Sequence, residues 1–321
     1  MRILFVMDPL ESLHPEKDTT FAFIRAARKQ GHRCLHCQTK DLVVEDGVPK
    51  ARARHVIIWP TAPYTSYDET REVKLADLSA IVVRKDPPFD IAYLNATQIL
   101  DLVRKDTFIM NYPRALRDAD EKLYALRFPQ WTPRTIVTSD SAQIQGFASS
   151  CGGSCVIKPI GRAGGMGVLR LTESDNNASS IIDLLTDEGS RPVMVQEFIP
   201  AVSEGDKRVI LLDGELLGAI LRVPKPGDFR ANIHVGGTVV ACDLTDQEHA
   251  LVASVGPQLR TAGLYFVGLD VIGGRLTEVN VTSPTGIQEL GRLTNTSPEY
   301  KVIAWLEEKA ASFKPGRFTY P

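Results

Sequence analysis

Three apolar runs constrain this chain more than anything else in it: RILFVM at residues 2–7, AIVV at 80–83 and TFIM at 107–110. Each breaks into a polar turn that carries proline: Asp8-Pro9, Arg84 to Pro88, and Asn111-Tyr112-Pro113. Strands without a polar alternate face are buried on both sides, the condition of a parallel sheet covered by helices. Helical periodicity supplies the cover. Phe21, Ile24 and Ala27 share one face of a helix that begins near Asp18 or Thr19 and stops at Gly31, and Ile99, Leu100, Leu102 and Val103 mark a second. A further short strand occupies 32–37. The order strand, turn, helix predicts an N-terminal parallel α/β domain, interrupted by a charged stretch and by the irregular loop WPTAPYTSYDE. Ligands of open α/β sheets sit at the carboxyl ends of the strands, so Asp8, Arg84, Asp86 and Asn111 are expected along one edge. The plainer reading is that these residues only initiate turns.

Between residues 114 and 135 the pattern changes. RDADEKLYALRF (117–128) reads as a charged helical segment, and beyond it the chain consists of short strands with glycine turns: CVIKPI, GVLRLT, VMVQEFIP and DKRVILLDGELLGAILRV. Asp213-Gly214 in the last of these is a strong hairpin signal, so antiparallel sheets are predicted here. Helical stretches at about 178–187, 246–262 and 299–311 would cover one face.

Basic and acidic side chains number 37 and 39, which leaves no global field to attract nucleic acid or an anionic membrane. MRILFVMDP is too short an apolar run for a signal peptide, and no run approaches the roughly 18 apolar residues of a membrane span, so the expected location is the cytoplasm. Cys34 and Cys37 form a C-x-x-C, but in a strand they face opposite ways and no second ligand pair completes a zinc site.

The stretch GLDVIGGRLTEVNVTSP (268–284) carries the metal chemistry. Glu278 and Asn280 are two apart, and with Leu276 they lie on one face of a strand whose other face is Thr277, Val279 and Val281. Asp270 joins them from the neighbouring strand only if the turn takes three residues or the hairpin contains a bulge, because a plain two-residue Gly-Gly turn sends it to the far face. Two carboxylates and an amide suit Mg²⁺, which is normally held by one or two carboxylates, water and substrate phosphates. The competing reading is an exposed hairpin with its polar residues outward.

Lys158 closes a strand and is followed by Gly161, Gly164, Gly165 and Gly167 before the next one. Glycines let backbone N–H groups approach phosphate oxygens, and the lysine adds countercharge. The spacing is neither a Walker A loop nor a dinucleotide fingerprint. Gln196, Glu197, Phe198 and Ile199 could hold a purine, and Glu204 and Asp206 could bond ribose hydroxyls. Arg208, Arg222 and Arg230, with Asn232, could fork onto phosphoryl or carboxylate oxygens.

Order and spacing of these parts resemble the ATP-grasp ligases, and more closely the prokaryotic type of glutathione synthetase. VMDPLESL, VRKDPPFD, NYPRALRDADEKL, GDKRVILLDGE, RANIHVGG and VGLDVIGGRLTEVNVTSPTGI carry the likeness, which runs from residue 1 to about 310. The resemblance implies an N-terminal pre-ATP-grasp α/β domain over 1–121, a central ATP-grasp subdomain with a glycine-rich flap over 122–200, and a C-terminal subdomain with the metal site over 201–321. It implies ATP-dependent joining of γ-glutamylcysteine to glycine through an acyl phosphate, with Mg²⁺ or Mn²⁺, in a homo-oligomer (dimer or tetramer) that binds neither nucleic acid nor membrane. By position, Lys122 and Lys158 would hold phosphates, and Asp270, Glu278 and Asn280 the metal. Arg208 and Arg222 would be catalytic, and Asp8, Arg84, Asp86, Arg230, Asn232, Ser283, Pro284 and Thr285 would receive dipeptide and glycine. The flap, GRAGGMG, departs from the family's more usual start, where an acid precedes the first glycine, and Arg162 would add charge near the triphosphate. A D-alanine or glutamate-adding ligase, or a nucleotide-binding module without turnover, would use many of the same residues.

Overall fold

The computed structural model describes residues 1–59, 61–172, 174–225, 227–228, 230–231 and 237–316. Strand β1 (Arg2–Met7) is followed by α1 (Thr19–Lys29), whose first turn is capped by Asp18 accepting from the Phe21 N–H at 2.8 Å. Next come β2 (Arg33–Cys37), β3 (Leu42–Glu45), β4 (Val48–Ile58), β5 (Thr65–Tyr67), β6 (Arg71–Lys74), β7 (Ala80–Arg84), α2 (Ile91–Asp101) and β8 (Phe108–Met110). The parallel sheet expected from the apolar runs is present in the order β2-β1-β7-β8. The charged stretch forms strands, however, and within the loop Thr65–Tyr67 does too. β4 pairs antiparallel with β2 and carries β3, β5 and β6 as an antiparallel arm, so the sheet is mixed. Cys34 and Cys37 point into the cores on the two faces of this sheet, and burial pushes the Cys34 thiol up to about 12.

The segment predicted as one helix at 117–128 is broken. Helix α3 (Pro113–Asp118) reaches only its first two residues, and a 3₁₀ turn covers Leu123–Arg127, leaving Ala119 to Lys122 as a non-helical link. A middle lobe then forms from β9 (Thr135–Thr138), α4 (Ser141–Ser150), β10 (Ser154–Pro159), β11 (Leu169–Thr172), α5 (Ala178–Thr186) and β12 (Val193–Glu197). Its antiparallel sheet has the order β11-β10-β12-β9 and its own core around Ile144, Ile157, Ile182 and Val195.

The last part comprises β13 (Asp206–Leu212), β14 (Glu215–Val223), β15 (Thr238–Ala241), α6 (Asp246–Thr261), β16 (Phe266–Ile272), β17 (Arg275–Asn280), α7 (Ile287–Thr294) and α8 (Pro298–Ser312). Its sheet runs β15-β14-β13-β16-β17, antiparallel throughout. Its apolar face does not stand alone: Leu269, Val271 and Val279 share one core with Val6, Ile81 and Ile109 of the N-terminal sheet. Asn111 pins the two together. Its Nδ2 donates to the Phe266 and Val281 carbonyls and its Oδ1 accepts from the Tyr265 and Phe266 N–H groups, all at 2.8 Å. That side chain is therefore spent on the fold, not held out at the strand edge for a ligand.

Candidate active site

The hairpin of β16 and β17 turns on two residues only. Gly273 and Gly274 both have positive φ (54° and 72°), the requirement of a type I′ turn. Such a turn alone would place Asp270 on the wrong face, and a bulge restores it: the register pairs Val271 with Leu276 but Asp270 with Glu278, leaving Thr277 extra. The bulge also corrects the predicted facing of Leu276. It lies with Val279 in the apolar core, opposite Glu278, because the inserted residue flips the alternation once. Asp270 and Glu278 are thus direct cross-strand partners, with Asn280 two positions further along and its Nδ2 donating to the Gly268 carbonyl at 3.3 Å.

Behind Asp270 stand two arginines on neighbouring strands. Arg208 forks onto it, Nε to Oδ1 at 2.7 Å and Nη2 to Oδ2 at 3.3 Å, while Arg222 reaches Oδ2 at 3.1 Å and Asp206 Oδ2 at 2.5 Å. The β13–β14 register, with Asp206 opposite Arg222, and the β13–β16 register, with Arg208 opposite Asp270, bring the four together. All four are buried. Burial alone would raise the Asp270 carboxyl, but the two guanidinium groups hold it down at about 2. For Asp206 burial prevails over Arg222 and the carboxyl rises to about 6. Its Oδ1 is buried without a partner.

The lysines have a different environment. Lys158 is 8% exposed and Lys122 3%. Lys158 Nζ donates to the Gln196 Oε1 at 2.7 Å, and Lys122 Nζ donates to the Arg162 carbonyl of the flap, with Glu278 Oε1 at 3.9 Å. Burial lowers the Lys158 ammonium below the usual lysine range. An ionised amine held by neutral acceptors inside a protein is costly unless a ligand brings negative charge.

Lys158, Gln196, Glu197, Phe198, Ile199, Asp206, Arg230, Asp270 and Glu278 line one cleft between the middle lobe and the C-terminal sheet. Its apolar walls are Pro133, Val156, Val168, Val202, Ala231, Ile272 and Thr277, and Gly165 of the flap closes one side. Gly161, Gly164 and Gly167 complete the flap, all with positive φ. The sequence reading did not name these apolar walls, since valine and isoleucine at strand positions are indistinguishable from core residues. Nor did it name Glu121, whose signal was its place beside Lys122. Its carboxylate accepts from Thr282 Oγ1 at 2.8 Å, and its carbonyl accepts from the Val279 N–H at 2.8 Å. Burial and then Glu278 raise this carboxyl to about 7.

The remaining predicted residues lie further out. Glu204 is exposed at the end of a 3₁₀ turn and does not line the cleft. Asp8 receives Lys85 at 3.0 Å and the Asp86 N–H at 2.9 Å at the N-terminal sheet edge. Arg84 is buried, donating from Nε to Thr20 Oγ1 at 3.1 Å and from Nη2 to the Pro284 carbonyl at 2.8 Å. Ser283 and Thr285 flank Pro284 and are half-buried. Arg230 pairs with Asp228 at 2.8 Å, and Asn232 lies outside the described residues.

Among the described residues no three His, Cys, Asp or Glu side chains form a metal cage. Two carboxylates and one amide nevertheless fit a hard divalent ion that completes its shell with water and phosphate oxygens, and the ionised state of Asp270 suits that task. No described helix is long and apolar enough to cross a membrane.

Comparison with known proteins places the chain in a family. Residues 1–117 match the prokaryotic glutathione synthetase N-terminal domain and residues 121–295 its ATP-grasp domain. The glutathione synthetase of Synechococcus elongatus is 44% identical over 318 residues, covering 96% of this chain and 98% of that protein. That of Shewanella oneidensis is 39% identical over 293 residues, covering 90% and 93%. The crystal structure of D-cycloserine synthetase DcsG is similar with a TM-score of 0.66 at 17% identity, covering 95% of this chain and 99% of that one, a likeness of fold. The chain belongs to the prokaryotic glutathione synthetase family.

Proposed function

From this family membership we infer that the protein is a glutathione synthetase, an ATP-dependent ligase that joins γ-L-glutamyl-L-cysteine to glycine. ATP phosphorylates the cysteinyl carboxylate of the dipeptide and leaves as ADP; the glycine amine attacks the acyl carbon and loses a proton; the tetrahedral intermediate expels phosphate and leaves glutathione. Such a reaction needs positioning and charge neutralisation more than covalent catalysis by the protein.

The observation that carries the nucleotide half is the pair of buried ammonium groups. Lys122 and Lys158 donate hydrogen bonds only to neutral acceptors among the described residues, with Glu278 Oε1 3.9 Å from Lys122, and a polyphosphate would add the negative charge that these bonds do not supply. The base would lie in the cleft against Val156, Phe198, Ile199 and Val202, with backbone groups of 196–199 at its edge. The flap from Gly161 to Gly167 would cover the phosphates and exclude water. Asp206, through its unpartnered Oδ1, is placed at the same cleft. Asp270, Glu278 and Asn280 would hold the divalent ion, Mg²⁺ or Mn²⁺, which when bound neutralises phosphate charge. Arg208 and Arg222 would face the transferring phosphoryl group from behind Asp270, and Arg230 with Asn232 would meet the dipeptide or the intermediate. Asp8, Asp86 and the 283–285 segment are the proposed reception site for dipeptide and glycine. Assembly as a homo-oligomer and residence in the cytoplasm belong to the same reading, and sedimentation velocity tests the first.

The test is phosphate release with ATP and Mg²⁺, in the presence of γ-glutamylcysteine, glycine, both, or D-alanine. Release that requires both dipeptide and glycine is the expected result. Release with D-alanine alone would overturn the substrate assignment, and none with any acceptor would overturn the ligase reading. Replacing Mg²⁺ by Mn²⁺ or Ca²⁺ in the same assay identifies the working ion.

A further inference from the structure

Two consecutive carbonyls, those of Pro284 and Thr285, are held by arginines from opposite sides. Arg84, at the end of β7 in the N-terminal sheet, donates to Pro284 at 2.8 Å; Arg208, on β13 of the C-terminal sheet, donates to Thr285 at 3.1 Å. Arg208 then continues to Asp270. The stem of Arg208 runs where a side chain on Gly268 would collide: a Cβ there would lie 2.9 Å from Arg208 Cδ and 3.0 Å from Pro284 Cβ. Arg84 itself is fixed by Thr20 on α1 and by the Phe23 and Phe266 rings, 5.7 and 5.5 Å from its guanidinium carbon. A continuous path, buried except at half-buried Thr285, therefore runs from α1 through Arg84, the 284–285 backbone and Arg208 to the candidate metal acid.

We propose that Arg84 is a positioning residue of the reaction centre, which sets the Pro284–Thr285 backbone and through it the guanidinium of Arg208. This departs from the role as a substrate contact that the sequence resemblance implies for it. Two of its three nitrogens are engaged by Thr20 and Pro284, and the third, Nη1, is buried without a partner. A lysine in its place could reach one acceptor but not both, and the carbonyl of Pro284 or the hydroxyl of Thr20 would lose its donor. The inference rests on the ligase reading above. It also makes the N-terminal sheet part of the catalytic geometry, in addition to any part that sheet plays in binding dipeptide.

The experiment is steady-state kinetics of Arg84→Lys, Thr20→Val, Arg208→Lys and the Arg84→Lys/Arg208→Lys double variant, with ADP affinity measured by calorimetry on each. A misplaced arginine near the chemistry lowers kcat by roughly 10- to 100-fold at saturating substrates. Arg84→Lys is expected to show that fall, with the ADP Kd within about twofold of wild type because Arg84 does not line the nucleotide cleft. The double variant is expected to be no slower than Arg208→Lys, since both changes act on one geometry. Thr20→Val should move kcat severalfold in the same direction and decides the matter if Arg84→Lys fails to fold. An unchanged kcat with a raised KM for γ-glutamylcysteine would overturn the proposal in favour of direct contact, as would additive losses in the double variant or an unaltered kcat in Thr20→Val. An inactive wild-type enzyme would instead refute the underlying ligase reading, so the two failures are distinct.

Discussion

Around the candidate cleft stand two pairs of buried cations in contrasting electrostatic situations. Arg208 and Arg222 are neutralised in place by Asp206 and Asp270, whereas Lys122 and Lys158 are held by a backbone carbonyl and an amide. The arginine side has closed its charges within the fold and gains rigidity. On the lysine side the hydrogen bonds go to neutral acceptors and Glu278 stands 3.9 Å from Lys122, so the charge is less closely balanced among the described residues, at a cost in stability, and an anionic co-substrate would complete it. Residues of one sign and similar burial can therefore present different net charge to a ligand, and the partners decide how much.

The largest expected effect comes from opening the closed side. Arg222→Met leaves Asp206 and Asp270 facing each other with one cation fewer, and is expected to destabilise the protein by about 3–5 kcal/mol in urea unfolding. Lys158→Met should do the reverse. Loss of the phosphate contact is expected to lower kcat/KM for ATP by roughly 10²- to 10³-fold, while the unfolding midpoint stays at or above that of wild type. A stability loss for Lys158→Met as large as that for Arg222→Met would break the comparison.

Acidity sharpens it further. Glu121, beside the lysine side, has its carboxyl raised from 4.5 to about 7, so it contributes stability that is full below about 4.5 and is lost as pH rises through 7. In metal-free protein Glu121→Gln should remove that slope, a difference of roughly 3 kcal/mol across the window, read from unfolding at stepped pH. Asp270, on the arginine side, has a depressed carboxyl and works in the opposite sense: its contribution is present above about 3.8 and is lost as pH falls towards 2. The smallest effect belongs to the turn that supports both. Gly274→Ala, at φ 72° and against Gln247, should cost on the order of 1 kcal/mol in thermal unfolding and leave the ADP affinity unchanged.

Much of this architecture was legible in the sequence, for stated reasons. The apolar runs at 2–7, 80–83 and 107–110 announced the parallel strands because nothing polar alternates within them. The hairpin with Asp270 and Glu278 was foreseen to need a bulge or a longer turn, and the bulge at Thr277 is what occurs. The arm at 42–74 escaped because its inward residues on β4 include Ala51 and Ala53, too small to register as an apolar face between Arg52 and Arg54. Helix α4 escaped for a similar reason, since Ile144 is its one buried residue. The pairing of Arg208 and Arg222 with aspartates could not be read because it depends on the register of three strands. Glu121 was obscured by a charged segment whose helical pattern the structure breaks at that residue.

Asn111 has a consequence for the timing of the molecule's motions. Its four hydrogen bonds, together with the core shared by both large sheets, join the amides of β1, β7 and β16 into one unit that should exchange with deuterium only on global opening. The middle lobe, with a core of its own, belongs to a smaller unit whose amides in β10 and β12 should exchange sooner and by a separate route. A nucleotide lodged between the two could then leave while most of the protein stays folded, so its residence time would follow the breathing of about 60 residues, not the stability of the whole.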